Sequence, residues 1–326
     1  MNQPSDTSIH YSVLKDEVIE QLARCRQGTD AHDCRFLDCT LGGAGHTEAL
    51  LEAMPDCTVI ACDRDQRAID RATKKLAAQF PHERWQLIHT PFSEVEQHLS
   101  PEQRSFDGML VDLGLSTDQL KESRGFSFRD EESLDMRMDE SASLTAATVV
   151  NEYSEKDLVR VLKRGGADKE AYAAVKAIVE HRPFSSTAAL STVVSNALQW
   201  LERKKQQKRG DHYVKTNPAT VVLQAIRIEV NKEFEEIDAM LDAAPRLVKN
   251  GGRLGVITFH SLEDKLVTKR MRAWAQGNTA PAYLGIIDRG SKGKFITSQP
   301  IVPSEQEIAC NPASRSARLR VFEFIS

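Results

Sequence analysis

The chain has 326 residues, of which 40% are hydrophobic and 28% charged, and a formal net charge of −4 at pH 7. Those values suit one large or two moderate globular domains with a sizeable core, and they exclude a protein that coats nucleic acid indiscriminately. A local basic face remains compatible with the mild acidity of the whole.

Met1 to Asp6 offers no basic segment followed by an apolar one, and no later run reaches the roughly 18 apolar residues of a membrane span. Neither export nor a membrane partner is expected, and the chain reads as cytoplasmic. The six cysteines, Cys25, Cys34, Cys39, Cys57, Cys62 and Cys310, form no CxxC pair. They read as reduced packing residues rather than zinc ligands.

Taken in chain order, short apolar runs alternate with helix-period segments through the first third, as stacked βαβ units around a parallel sheet do. Arg35 to Cys39 predicts the first strand, followed by the turn Leu41-Gly42-Gly43-Ala44-Gly45-His46 and a helix through Leu50 and Leu51. Thr58 to Cys62 predicts a second strand ending at Asp63, with a helix carrying Ile69, Thr73 and Leu76 on one side. Trp85 to His89 predicts a third, and Gly108 to Val111 a fourth ending at Asp112. Acids and glycines thus gather at strand carboxyl ends, where open α/β sheets bind ligands.

The alternation stops between Gln119 and Pro218, where helical patterns run through Leu158, Val161 and Leu162, then Tyr172, Val175 and Val179, then Leu190, Val194, Ala197 and Leu201. This predicts a helical insertion over residues 121–216 within a core made of residues 1–120 and 217–326. The polar run Arg203 to Gly210 reads as a mobile loop, either a solvated charge run or a phosphate-contacting one. One long amphipathic helix is predicted through Ile226, Val230, Phe234, Ile237, Leu241 and Val248, stopped by Asn250-Gly251-Gly252 as a left-handed cap. A strand over Arg253 to Phe259, a helix over Leu262 to Trp274, and strands around Phe295 to Val302 and Arg318 to Phe324 complete the prediction.

A glycine turn between a first strand and its helix lets a ligand approach the backbone, and Asp63 follows Gly45 at the spacing of a ribose-binding acid. A nicotinamide enzyme would place a third glycine where Glu48 stands, and a carboxylate there opposes a pyrophosphate. S-adenosylmethionine has the ribose and adenine without phosphate and tolerates that carboxylate; a purely structural turn is the competing reading. Beyond the fourth strand, Asp112-Leu-Gly-Leu-Ser116 offers an acid and a hydroxyl where a reacting base could be gripped. Ser261 and Asp264 read equally as site residues or as helix-capping ones, and His260 reads more readily as a hydrogen-bonded structural residue than as a base.

Together these segments closely resemble the ribosomal small-subunit RNA cytosine-N4 methyltransferase family (MraW/RsmH). The matching stretches include His10-Tyr-Ser-Val-Leu-Lys-Asp-Glu-Val, Thr40-Leu-Gly-Gly-Ala-Gly-His-Thr, Asp63-Arg-Asp, Asp112-Leu-Gly-Leu-Ser, Arg124-Gly-Phe-Ser-Phe, Leu134-Asp-Met-Arg-Met-Asp, Asn217-Pro-Ala-Thr, Gln224-Ala-Ile-Arg-Ile, Phe259-His-Ser-Leu-Glu-Asp and Asn311-Pro-Ala-Ser-Arg-Ser, in the family's order.

The resemblance implies a Rossmann-like class I S-adenosylmethionine-dependent methyltransferase with an inserted helical domain. Its implied reaction is methylation of a cytidine N4 amine in the decoding region of 16S rRNA within the small subunit. Cofactor contacts carried over by position are Gly42, Ala44, Gly45, His46, Asp63, Phe92, Asp112 and Gln119, with Phe92 and Gln119 resting on the resemblance alone. Asp112 and Ser116, with His260 behind them, are candidates for holding the acceptor amine, and the chemistry calls for no metal.

Two departures from the family pattern, Val221 after Pro-Ala-Thr and Gly166-Ala167-Asp168 in the insertion, bear on RNA contacts rather than on the donor. Another RNA cytidine, or a non-catalytic RNA-binding assembly protein of the same fold, remains the competing function. Monomer and homodimer both remain open.

Overall fold

The structure, a computed structural model, describes residues 12–23, 34–116, 119, 122–209, 217–277 and 290–325. By internal contacts the chain forms two units, Met1–Ser116 with Glu235–Ser326, and Thr117–Phe234.

The first unit is built on β1 (Arg35–Asp38), β2 (Thr58–Asp63), β3 (Trp85–His89), β4 (Phe106–Asp112), β5 (Val248–Thr258), β6 (Gly293–Phe295) and β7 (Arg318–Phe324). They form one sheet in the order β3-β2-β1-β4-β5-β7-β6. The first five strands in that order run parallel, and β7 lies antiparallel to β5 and to β6. Such strands are buried on both faces and therefore read as apolar runs, which is why their sequences were conspicuous. Helices α1 (Lys15–Ala23), α2 (Gly45–Ala53), α3 (Gln66–Ala77), α10 (Ser261–Gln276) and α11 (Glu305–Cys310) belong to this unit. Its core joins Phe36, Leu50, Leu76, Leu110, Ile257 and Leu319. Cys34, Cys39, Cys57 and Cys62 are free thiols packed inside it, while Cys310 is free and exposed; Cys25 lies outside the described residues.

The second unit holds α4 (Ala146–Glu152), α5 (Glu155–Arg164), α6 (Ala171–His181), α7 (Thr187–Arg209) and α8 (Thr220–Asn231) around Val150, Leu162, Ile178, Leu198 and Ile226. Its own core closes over Gly165, where a Cβ would overlap Ala225, so α5 and α8 meet backbone to side chain. The expected return to the sheet domain at residue 217 falls later, because α8 packs into this core and the division comes at Phe234.

Four local expectations are corrected. The single helix expected from Ile226 to Val248 is two, α8 and α9 (Glu233–Leu247), because Lys232 takes a left-handed φ of 51° and breaks the run. Asn250 and Gly251 do not cap a helix; they lie inside β5, where Gly251 at φ 77° accompanies a bulge against Phe106 and Gly108 of β4. The basic run through Arg209 is no loop but the end of α7, since Lys, Arg and Gln are strong helix formers; Gly210 lies outside the described residues. The strand expected from Phe295 to Val302 stops at Phe295 and survives beyond it only as a bridge from Ile301 to Leu319.

The two departures from the family pattern fall in the second unit, only partly in its interior. Ala167 is fully buried, and half-buried Val221 packs on the same cluster. Gly166 and Asp168, on either side of Ala167, are exposed.

Candidate active site

The carboxyl ends of β1, β2, β3 and β4 lie side by side, with Asp38 paired to Ala61 and Leu110, Asp63 to His89, and Asp112 to Ile257 of β5. Every polar segment that follows these strands therefore opens at one edge of the sheet. The β1–α2 turn brings Gly42, Ala44, Gly45 and His46 there, Phe92 follows β3 half-buried, and Ser116 follows β4 with its Cβ beside Gly42.

The turn is strained and closely packed. Gly42 sits at φ 47°, and Ala44, fully buried, at φ 60°, a left-handed value that costs a non-glycine residue about 1 kcal/mol. Gly45 opens α2, and a Cβ on it would overlap the Ser12 hydroxyl. Lys75 of α3 fastens the turn by donating to the Gly43 carbonyl at 3.3 Å and pairing with Glu48 at 2.7 Å. Glu48, the residue that opposes a pyrophosphate, is thus itself neutralised.

Asp63 accepts from the Gly42 N–H through one oxygen and from the Asp65 N–H through the other, both at 2.8 Å. Burial outweighs those two bonds and pushes its pKa up to about 6. Each oxygen retains a lone pair for a further donor such as a hydroxyl.

Asp38, fully buried beneath the turn, was not singled out in the sequence. It accepts from the Thr47 hydroxyl at 2.7 Å and the Thr40 N–H at 3.1 Å, while burial raises its pKa against the opposing pull of His46. Thr40 in turn accepts from the Asp112 N–H at 2.7 Å, linking the ends of β1 and β4. A polar residue closing an apolar strand just ahead of a glycine turn is the signal that marks it.

Asp112 and His46 form the least satisfied part of the site. His46 Nε2 stands 3.5 Å from Asp112 Oδ2, yet both ring nitrogens of His46 and Asp112 Oδ1 are buried without a hydrogen-bond partner. Buried polar atoms in that state cost free energy unless something pairs with them. A ligand carrying both donors and acceptors answers the deficit. S-adenosylmethionine, with its ribose diol, amino-acid end and adenine, fits this donor and acceptor set.

His260 is occupied otherwise. It caps α10, with Nδ1 accepting from the Glu263 N–H at 3.4 Å and Nε2 3.0 Å from Glu263 Oε1, while the Glu263 carboxylate accepts from the His260 and Phe259 N–H groups. Asp264 is held by Arg320 and Arg318, which keep its carboxyl below the usual range despite burial. Of the two open readings, both residues take the structural one. Gln119 is buried and belongs to the second unit.

A parallel β3-β2-β1-β4-β5 sheet extended by antiparallel β7, with an acid-flanked glycine turn at its carboxyl edge, defines a class I S-adenosylmethionine-dependent methyltransferase. The MraW methylase family matches residues 7–325, and the chain belongs to that family. It is 39% identical over 323 residues to ribosomal RNA small subunit methyltransferase H of Synechococcus elongatus, covering 99% of this chain and 96% of the relative. Proteins of the same name from Clostridioides difficile (39% over 324 residues, 97% and 99% covered) and a Nitratiruptor species (38% over 328 residues, 99% of each) are comparably similar. Among the described residues no helix is long and apolar enough to cross a membrane.

Proposed function

We propose that the protein transfers the methyl group of S-adenosylmethionine to the N4 amine of a cytidine in the 16S rRNA of the small ribosomal subunit, in the cytoplasm. The observation that carries this reading is the Asp63, Asp38 and Asp112 row along one sheet edge, with unpaired atoms of Asp112 and the neighbouring His46 at its β4 end. The relatives' shared name supplies the nucleic acid, and the MraW resemblance supplies the cytidine.

When bound, the donor presents a methyl made electrophilic by its sulfonium, so the residues' task is alignment of the acceptor and reception of a proton. Asp63 holds the ribose diol, the Gly42 to His46 turn accommodates the amino-acid end, and Phe92 lies against the adenine. Asp112, with Oδ1 unpaired, accepts an N–H of the cytosine amine, localises the nitrogen lone pair and receives the released proton. Ser116, beside Gly42, is the second acceptor. His260 acts on the reaction only through the first turn of α10 that it caps.

The test is labelled methyl transfer to purified small subunits followed by nucleoside analysis. Labelled N4-methylcytidine is the expected product, and it would be lost from Asp112→Asn. Transfer to another nucleoside, or none despite donor binding, would overturn the reading.

A further inference from the structure

The motifs Arg124-Gly-Phe-Ser-Phe and Asn217-Pro-Ala-Thr lie in the second unit, where the methyl-transfer chemistry leaves them without a role. The structure brings them together at one open groove of about 740 Å³, lined also by α7. Ser127, Phe128 and Arg129 come from the first motif, Asn217 from the second, and Thr192 and Asn196 from the helix.

The groove is preformed. Asp130, buried, accepts from the N–H groups of Gly125, Glu132 and Ser133, which fixes the turn behind Phe128 and Arg129. That turn is fastened to the start of α7, because Ala188 N donates to Asp130 O and the Thr187 hydroxyl donates to Gly125 O. In the second motif, Asn217 accepts from the Ser195 hydroxyl at 2.8 Å and donates to Ser191 at 3.3 Å.

Phe128 is nevertheless 39% exposed on this rigid turn, and Arg129 is exposed with no ion pair among the described residues. Thr192, Asn196, Trp200 and Lys204 then continue from the groove along α7 at four-residue intervals, one row of about 18 Å. Trp200 is 45% exposed, and the Lys204 ammonium stands 5.0 Å from its ring centroid. Asn196 accepts from the Gln199 amide, which leaves its own NH2 group to donate.

Two exposed aromatic rings flanked by cations, with hydroxyls and amides between them, match the chemistry of an unpaired nucleic-acid strand. Rings stack on bases, cations meet phosphates, and hydroxyls or amides meet base edges and 2′-hydroxyls. We propose that this groove and the α7 row beyond it bind a few unpaired nucleotides of the RNA substrate, with Phe128 and Trp200 as stacking platforms and Arg129 and Lys204 on the phosphates. The proposal rests on the reading of the acceptor as rRNA and adds where this chain grips it.

The test uses the full chain and an unstructured RNA 12-mer, with the same strand in a duplex as comparison. Trp85 and Trp274 are buried, so quenching of tryptophan fluorescence by the RNA reports on Trp200. The single strand is expected to quench it and to bind more tightly than the duplex. Phe128→Ala and Trp200→Ala, both at exposed positions, should each weaken single-strand binding about tenfold, read for all variants by anisotropy of the end-labelled 12-mer. Arg129→Gln should weaken it less and lower the salt slope by about one. All three should raise KM for small subunits and leave S-adenosylmethionine affinity unchanged. Equal affinity for strand and duplex, or wild-type oligonucleotide binding by the Phe128 and Trp200 variants, would overturn the proposal. Raised KM with unchanged oligonucleotide binding would instead put a protein surface of the subunit in the groove, also against it. Failure of the rRNA reading shows separately, as wild-type enzyme that binds the donor yet leaves small-subunit RNA unlabelled.

Discussion

The carboxyl of Asp63 makes the donor site sensitive to mild acid. Moving it from the ordinary 3.8 to about 6 makes its ionisation cost about 3 kcal/mol more in the folded protein than in the unfolded chain. The sign follows directly. With the folded pKa raised, the protonated form contributes stability that is full below about pH 4 and is lost as pH rises through 6. At neutral pH the site without its ligand therefore carries an unfavourable buried charge, which two ribose hydroxyls would relieve by donating to it.

Donor binding selects the ionised form, so affinity should be nearly constant above pH 7 and fall about tenfold by pH 5. Calorimetric titration with S-adenosylmethionine between pH 5 and 7, in buffers of different ionisation heat, reads both the affinity and the release of about half a proton at pH 6. Asp63→Asn should bind at least tenfold more weakly at pH 7 and lose the slope, so the difference between the two proteins isolates this carboxyl. Constant wild-type affinity across the range, with folding verified by circular dichroism at each pH, would refute the assignment of Asp63 to the ribose. An equal slope in Asp63→Asn would do the same.

Gly45→Ala drives a methyl into Ser12 and should lower stability by about 1–3 kcal/mol, read by urea titration, with weaker donor binding as the turn shifts. Asn231, buried, accepts from Met138 N and donates to Met136 O; Asn231→Ala strands both and should cost about 2–3 kcal/mol, again by denaturant midpoint. The Asp264 carboxyl is held low by Arg320 and Arg318, so its contribution is present at neutral pH and is lost as pH falls below about 4. Asp264→Asn should therefore lower the melting temperature at pH 7 and narrow its gap to wild type in acid. His260→Asn, which keeps an N-cap acceptor, should retain most methyl transfer, whereas His260→Ala should lose about 1 kcal/mol of stability. Complete loss of turnover in the folded Asn variant would return His260 to the chemistry.

The parallel strands were legible because burial on both faces leaves little but apolar residues in them, so that Asp63 and Asp112 stand out at their ends. Asp38 obeys the same rule but is less visible, because the apolar run continues through Cys39 and hides the acid inside it. Helix limits in the second half were less legible, since the residue that breaks Ile226 to Val248 is a lysine, an ordinary helix former whose left-handed φ no local pattern announces. The charged end of α7 failed for the opposite reason. Polarity there suggests a loop, although Lys, Gln and Arg carry a helix well when one face is anchored, as Leu198 and Leu201 anchor this one.

Site chemistry divides along the same physical line. Glycine and acid spacing reports backbone geometry, which is local, and it located the turn and the acid beyond it. The deficit at His46 and Asp112 depends on what the fold fails to place beside them, and sequence carries no record of a missing partner. A structural histidine would be expected to resemble His260, whose Nδ1 caps a helix by accepting from the Glu263 N–H. His46, from an equally polar stretch, has neither nitrogen bonded and is more deeply buried. A fold that spends one histidine on a helix cap and leaves the other with neither ring nitrogen hydrogen-bonded points to a ligand at the second, so His46→Ala should impair donor binding or turnover more than it impairs folding. A His46→Ala protein that lost stability but bound and turned over normally would show the open nitrogens to be packing residue and not site.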